Sequence, residues 1–243
     1  MNGPQLWTRF RHALADALGR PVDYEPFEFQ RRKEQIDWAR IPELRTALIA
    51  DLFEVSGNEV RTWVAEAEAL EVREKENGWF DGVGTPMGRT DRITLYAIVR
   101  AARPERAVET GAGAGSASFY ILSAMARNKT GRLISIDRSD RPEQVGALIP
   151  PELKPRMEIL IGTSEALLPR LDGPFDLFLH DSSHTHASMT REFEWAHTQG
   201  FHVICSHDVL MSNAWTHFLQ RHRLKRHGVV KNLGVAIAGS RAR

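Results

Sequence analysis

The sequence predicts an α/β fold: a doubly wound, mostly parallel sheet of seven strands, the last of them antiparallel, preceded by an N-terminal helical extension. Two observations predict it. Short apolar runs alternate with amphipathic stretches from about residue 104 onward, as strands alternate with crossover helices. A glycine-rich turn, Gly111-Ala-Gly-Ala-Gly115, separates the first apolar run from the helix that follows it. Because such sheets bind ligands beyond the carboxyl ends of their strands, the segments after the strands are the candidate site.

Length, composition and charge narrow the class of protein. The chain has 243 residues, 42% of them hydrophobic and 26% charged, which suits one large domain or a domain with an appendage. A net charge of +1 argues against nucleic acid or an anionic membrane surface as the partner. The single cysteine, Cys205, allows no intramolecular disulfide, and the N-terminus lacks the pattern of a signal peptide. These features predict a cytoplasmic protein without a membrane span.

The chain before the sheet is predicted to be helical. Apolar residues at helical spacing predict helices over residues 4–18, from Pro42 to about residue 56, and from about Asn58 to residue 72. We divide the chain into residues 1–84, the helical extension, and residues 85–243, the sheet domain. The extension is either a cap over the substrate or a surface for homo-oligomer formation, and the sequence leaves both open. Residues 79–89 are predicted to form a loop, either a lid or a packed connector.

The remainder predicts a regular alternation of strands and helices. Thr90 is expected to cap a helix that ends at Ala102. The other predicted helices cover residues 116–127, 142–148, 164–171, 187–199 and 213–226. The predicted strands cover residues 106–108, 132–137, 157–161, 175–180 and 201–205, with a closing antiparallel pair at 229–230 and 235–238.

The glycine turn and the acids around it indicate the kind of ligand. The glycines alternate, whereas a dinucleotide fingerprint has the spacing Gly-x-Gly-x-x-Gly. Glu109, two residues before the first glycine, would repel a pyrophosphate and suits a ligand that carries a cation. Asp137 ends the second strand, where its carboxylate can accept hydrogen bonds from both hydroxyls of a ribose.

Over about residues 85–240, these motifs resemble class I S-adenosylmethionine-dependent methyltransferases, which have a Rossmann-like fold. The resemblance implies S-adenosyl-L-methionine as the cofactor, with the glycine turn under its methionine part and Asp137 at its ribose. Residues after the third strand would lie near the adenine. The implied cofactor-binding residues are Glu109, Gly111, Gly113, Gly115, Asp137, Arg138, Thr163, Ser164 and Asp181.

Polar residues follow the fourth and fifth strands, at Asp181–His186 and Ser206–Asp208. The first segment resembles a branch of small-molecule O-methyltransferases, in which the fourth strand ends in Asp-x-x-His and a helix with acidic residues follows. Asp181, His184 and the acids Glu192 and Glu194 match that outline. In catechol-type and some sugar O-methyltransferases an acid after strand four and a pair after strand five bind magnesium, which carried over gives Asp181, His207 and Asp208 as metal ligands. Magnesium prefers oxygen ligands, so His207 leaves open magnesium, a softer divalent ion, or no metal with a histidine as base.

The predicted activity is methyl transfer to a hydroxyl of a small molecule, with Asp181, His184 and His207 as catalytic residues. A hydroxyl with a pKa near 10 is a poor nucleophile at pH 7, so a cation or a base must favour its oxyanion as it attacks. The alternatives are N-methylation of a small molecule, an NAD-dependent oxidoreductase, and a non-catalytic partner subunit. A small-molecule acceptor is the expected partner, whereas nucleic acid and membrane are not expected.

Overall fold

The computed structural model describes residues 11–24, 35–76 and 87–239, apart from the side chains of residues 72–76. Residues 4–10 of the predicted first helix and residues 79–86 of the predicted loop lie outside the described residues. The described part of the first helix, α1, covers residues 11–17.

Seven strands form one sheet in the order β3-β2-β1-β4-β5-β7-β6. Strand β7 is antiparallel to both of its neighbours, whereas the pairs from β3 to β5 are all parallel. The predicted sheet is therefore confirmed. Strand order reverses between β1 and β4, which creates a crevice at the carboxyl edge. The strands are β1 Arg106–Thr110, β2 Arg132–Asp137, β3 Met157–Ile161, β4 Leu177–His180, β5 Val203–Ser206, β6 His227–Val230 and β7 Leu233–Ile237.

Helices cover both faces of the sheet. Single 3₁₀ turns cover Trp38–Arg40, Pro142–Gln144, Lys154–Arg156 and Leu168–Arg170. The α-helices after α1 are α2 Ile41–Phe53, α3 Gly57–Glu76, α4 Arg89–Ala102, α5 Ser116–Asn128, α6 Ser164–Leu167, α7 His186–Thr198 and α8 Ala214–Arg221.

Three local predictions about the helices are wrong. The predicted helix 142–148 is only a 3₁₀ turn, and Gly146 that follows it has φ +69°. The predicted helix 213–226 stops at Arg221, because Arg223 adopts φ +51°, which a helix cannot contain. Thr90 does not cap α4: Gly88 precedes the helix, and its carbonyl accepts the amides of Asp91 and Arg92.

Two hydrophobic clusters pack against the sheet, one on each face. Helices α4 and α5 cover one face, and α2 and α3 add side chains such as Ile49 and Val60 to the same cluster as Leu233 of β7. Helices α7 and α8 cover the other face, where Phe193 and Phe218 pack. Helices α2 and α3 therefore share the core of the sheet. No helix in the described ranges combines the length and the apolar character needed to cross a membrane.

Candidate functional site

The glycine turn between β1 and α5 depends on left-handed backbone conformations. Gly111, Gly113 and Gly115 have φ values of +85°, +51° and +101°, which glycine adopts without steric cost. A Cβ at Gly111 would lie 2.1 Å from the carbonyl oxygen of Asp181, so the glycine allows the end of β4 to approach. A Cβ at Gly113 would meet nothing within 4 Å, so this part of the turn has an open face.

Asp137 joins the end of β2 to the glycine turn. The Gly113 amide donates to Asp137 Oδ2 (2.7 Å), and the Ser139 amide donates to Oδ1 (2.8 Å). Each carboxylate oxygen has a second lone pair, so Asp137 can still accept hydrogen bonds from a ligand. These bonds fix its carboxylate beside the turn.

Glu109 lies beneath the turn and is fully buried. Its Oε2 accepts hydrogen bonds from Ser118 (2.5 Å) and Ser135 (2.6 Å). Burial raises the pKa of Glu109 to about 7, although the two serine hydroxyls act in the opposite direction. The side chain lines neither of the two cavities at this edge, so it supports the turn from below.

Two cavities meet at the carboxyl edge of the sheet. The β3-side cavity, of about 560 Å³, is lined by Arg138, Thr163 and Ser164, and also by Ser188 and Arg191 of α7. The β5-side cavity, of about 410 Å³, is lined by Met87, Ala114, Ser116, His207 and Asp208. The residues that line both are Gly111, Gly113, Asp137, Asp181 and His184. The structure thus brings most of the predicted site residues to one crevice.

His184 and Asp208 form a pair at the junction of these cavities. His184 Nε2 lies 3.2 Å from Asp208 Oδ2. Burial lowers the pKa of His184, and Asp208 offsets this only in part, so the ring is neutral at pH 7. A neutral ring that donates Nε2–H to Asp208 carries its lone pair on Nδ1, which is buried without a hydrogen-bond partner among the described residues.

His207 stands between two carboxylates. Its Nδ1 donates to Asp181 Oδ1 (2.9 Å), and its Nε2 lies 3.5 Å from Asp91 Oδ2. Asp208 Oδ2 is 3.6 Å from Nδ1. Burial alone would lower the pKa of His207, but these carboxylates raise it to about 10. The two histidines of the crevice therefore hold opposite protonation states at pH 7.

The comparisons with known proteins agree with this geometry. Residues 108–200 match a family model described as "Methyltransferase domain". This segment begins in β1 and runs past the glycine turn, Asp137 and the His184 loop. The chain contains a methyltransferase domain. Together with the order of the sheet, this match confirms the prediction of a class I S-adenosylmethionine-dependent methyltransferase.

Solved structures share the fold. A methyltransferase from Geobacter sulfurreducens aligns with a TM-score of 0.54 and 19% identity, over 74% of this chain and 89% of that one. The Podospora anserina methyltransferase PaMTH1, bound to SAH, aligns at 0.50 and 14%, over 73% and 88%. A putative O-methyltransferase from Klebsiella pneumoniae aligns at 0.50 and 13%, over 97% and 99%. No curated protein matches the sequence.

The predicted metal ligands of the methyltransferase domain come together, but as ion pairs. Among residues 11–24, 35–76 and 87–239, no group of three or more His, Cys, Asp or Glu is arranged to hold a metal ion. Both ring nitrogens of His207 face carboxylate oxygens, of Asp181 and Asp91, so both carry hydrogens and neither offers a lone pair. Asp181, His207 and Asp208 as arranged here therefore do not fit a divalent cation.

Sequence reasoning did not predict the burial and the partners of an acid behind the crevice, Glu192. Glu192 of α7 accepts from Thr110 Oγ1 (2.6 Å), from His180 Nδ1 (2.7 Å) and from Ser182 Oγ (2.7 Å). His180 is fully buried and lines neither cavity. Glu192 lies at a position that matches the outline of small-molecule O-methyltransferases, but its partners cannot be read from spacing. It joins the ends of β1 and β4 from the α7 side.

Sequence reasoning also missed Asp91 of α4. Its carboxylate is 1% exposed and reaches His207 from a helix more than a hundred positions earlier in the chain. The sequence presents Asp91 only as an acid in the first turn of a helix, where acids are common. No spacing or motif connects it to the ends of β4 and β5.

Proposed function

We propose that the chain transfers the methyl group of S-adenosyl-L-methionine to a hydroxyl of a small molecule, with His184 as the general base. One observation carries the proposal. A neutral imidazole paired with a carboxylate lies where the two cavities meet, beside the glycine turn. A group at that place can take a proton from an acceptor next to the reacting methyl.

The β3-side cavity suits the adenosine part of the cofactor. Asp137 has lone pairs for ribose hydroxyls, and Arg138, Thr163 and Ser164 supply polar groups around an adenine. The open face of Gly113 lets the backbone approach the methionine part. The solved structures of PaMTH1 with SAH and of cofactor-bound Rv0187 from MTB share the fold and support this assignment.

The chemistry then divides between the cofactor and the chain. When bound, S-adenosylmethionine supplies a methyl group on a positively charged sulfur, which is the electrophile. The β5-side cavity, which shares its border residues with the β3-side cavity, would hold the acceptor. His184 would take the hydroxyl proton at Nδ1. Because this atom is buried, the acceptor has to displace its surroundings to reach it, and Asp208, 3.2 Å from Nε2, would stabilise the imidazolium that forms. Asp181 borders both cavities and is held in place by His207.

A metal ion has no part in this proposal. In the metal-assisted branch a cation lowers the pKa of the acceptor hydroxyl. Here the cation beside Asp181 is the His207 ring itself, which faces carboxylates through both nitrogens. The base is a separate residue, His184, whose lowered pKa keeps it unprotonated at pH 7.

The test is methyl transfer by the full chain from radiolabelled S-adenosylmethionine to a panel of catechols, hydroxylated aromatic acids and sugars, with matched amines. We expect label in hydroxyl compounds and no loss of rate with EDTA. With the best acceptor, H184Q should lower kcat by about 10²- to 10⁴-fold and leave affinity for S-adenosylhomocysteine within about threefold. H227Q alters an exposed histidine and is the matched control. Label on amines alone, or an H184Q rate equal to that of H227Q, would contradict the proposal.

A further inference from the structure

Asp91 is a buried carboxylate behind the crevice that lines neither cavity. Its Oδ2 lies 2.8 Å from Lys231 Nζ and 3.5 Å from His207 Nε2, and its Oδ1 accepts from the Asn232 amide at 3.4 Å. A carboxylate with so little exposure needs this compensation, because an unpaired buried charge is strongly unfavourable. Asp91 is thus tied on one side to the β6–β7 turn and on the other to the crevice.

The β6–β7 turn, Lys231-Asn232, holds the second carboxylate of the site as well. The side-chain amide of Asn232 donates to Asp208 Oδ1. Asp208 has φ +55°, a left-handed conformation that is uncommon for a residue with a side chain. One turn therefore contacts both acids, Asp91 through Lys231 and the Asn232 amide, and Asp208 through the Asn232 side chain.

A series of contacts leads from Lys231 through Asp91 and His207 to Asp181 in the cavity wall. Lys231 donates to Asp91, Asp91 faces Nε2 of His207, and Nδ1 of the same ring donates to Asp181 at 2.9 Å. The ring has two edges, and each edge meets an acid on a different element, α4 and the end of β4. Without Asp91, one edge would have no carboxylate to hold it, and the ring could turn away from Asp181.

We propose that Asp91 is a positioning residue that fixes the His207 ring so that it holds Asp181 at the junction of the two cavities. Only the expected effect of Asp91 on the rate rests on the proposed function. The contacts of the His207 ring can be observed without an acceptor. Asp91 touches neither cofactor nor acceptor and acts through His207. Lys231 and Asn232 fix Asp91 in turn.

A purely structural role for Asp91 predicts a different result. As an acid in the first turn of α4, Asp91 also stabilises the helix end. Loss of that effect would lower the stability of the protein and leave the His207 ring unchanged. The two roles are therefore separated by a measurement made on the ring.

The test is proton–nitrogen NMR of the imidazole groups in the full chain, with the His207 signals assigned from H207Q. We expect two hydrogen-bonded ring N–H protons in the wild type, loss of the Nε2–H signal and weakening of the Nδ1–H signal in D91N, and an intermediate spectrum in K231Q. D51N, at an exposed position of α2, is the matched control and should match the wild type.

Kinetics with the best acceptor then measure the consequence for the rate. D91N should lower kcat by about 10- to 100-fold, with the affinity for S-adenosylhomocysteine within about threefold of wild type. If D91N folds and its His207 spectrum is unchanged, the positioning role is overturned. If D91N does not fold, an unchanged His207 spectrum in K231Q overturns it. A changed spectrum supports it even where no acceptor of the panel is methylated, an outcome that would count against the proposed function alone.

Discussion

The two halves of the crevice are built from different parts of the chain. At the ends of β1 and β2, the crevice is formed mainly by backbone: glycines with positive φ make the turn, and backbone amides bind the Asp137 carboxylate. At the ends of β4 and β5, the crevice is formed mainly by side chains: two histidines are each fixed by carboxylates. A backbone-built half is determined by residues close in sequence, whereas a side-chain-built half draws on distant elements.

This difference explains the opposite states of the two histidines. His184 and His207 lie at neighbouring strand ends and are both largely buried, and burial acts on both pKa values in the same direction. His207 meets carboxylates at both nitrogens, so its pKa rises, whereas His184 meets one and its pKa falls. Carboxylates from α4 and from the ends of β4 and β5, rather than depth of burial, therefore make His207 a cation while His184 stays neutral.

The largest expected effect is on the backbone-built half. In G111A the added Cβ would lie 2.1 Å from the Asp181 carbonyl oxygen and would be strained at φ +85°. We expect loss of S-adenosylhomocysteine binding by at least about 100-fold and a drop of several kcal/mol in the free energy of unfolding, measured by calorimetry and by urea denaturation.

The variant G200A separates the effect of backbone strain from that of the steric clash expected in G111A. Gly200 has φ +76°, and a Cβ there would meet nothing within 4 Å. It should cost about 1 kcal/mol and leave ligand affinity unchanged. If G111A behaved like G200A, the close approach of β4 to the turn would not be what requires a glycine at position 111.

A second prediction concerns pH and the side-chain-built half. The pKa of His207 is raised from about 6.5 to about 10, because Asp181, Asp91 and Asp208 face the ring. The folded state thus binds the proton more tightly, and the stabilisation is complete below about pH 6.5 and declines as pH rises towards 10. The free energy of unfolding should fall over this interval by up to about 1.4 kcal/mol per pH unit.

H207Q removes this group and should flatten the pH dependence between pH 6.5 and 10, measured by urea denaturation at several pH values. H227Q changes an exposed histidine and should keep the slope of the wild type. Equal slopes for the wild type and H207Q would mean that the ring does not carry the charge that its neighbours imply.

The smallest expected effect is at the rim of the β3-side cavity. Glu165 and Arg191 form an ion pair at 3.5 Å, with side chains 69% and 49% exposed. Exposed pairs contribute little because water and salt screen them. E165Q should therefore change the free energy of unfolding by less than about 0.5 kcal/mol and ligand affinity by less than about twofold. A tenfold loss of affinity in calorimetry would assign Glu165 a direct role in binding.

The backbone-built half could be predicted from the sequence because its signals are local. The glycine spacing and Asp137 mark a turn and a ligand position within thirty residues, and the alternation of strands and helices places both at one edge of the sheet. Glu109 was interpreted as facing the ligand's charge, whereas it lies beneath the turn. Spacing alone does not tell which side of a turn a side chain occupies.

The other half was predictable only as a list of residues. His184, His207, Asp181 and Asp208 do meet, but their pairing depends on Asp91 and Asn232, which come from other elements. No periodicity or motif connects these positions. The interpretation as a metal site followed from the residue types, whereas carboxylates at both ring nitrogens, of Asp181 and of Asp91, make His207 a cation instead of a ligand.

The most direct test of the account is calorimetric titration of S-adenosylhomocysteine into the full chain and into H184Q and G111A. We expect one ligand per chain, an affinity in H184Q within about threefold of the wild type, and no detectable binding in G111A, because in the proposed function the turn binds the cofactor and His184 acts on the acceptor. No binding to the wild-type chain, or a loss of affinity in H184Q as large as that in G111A, would contradict it.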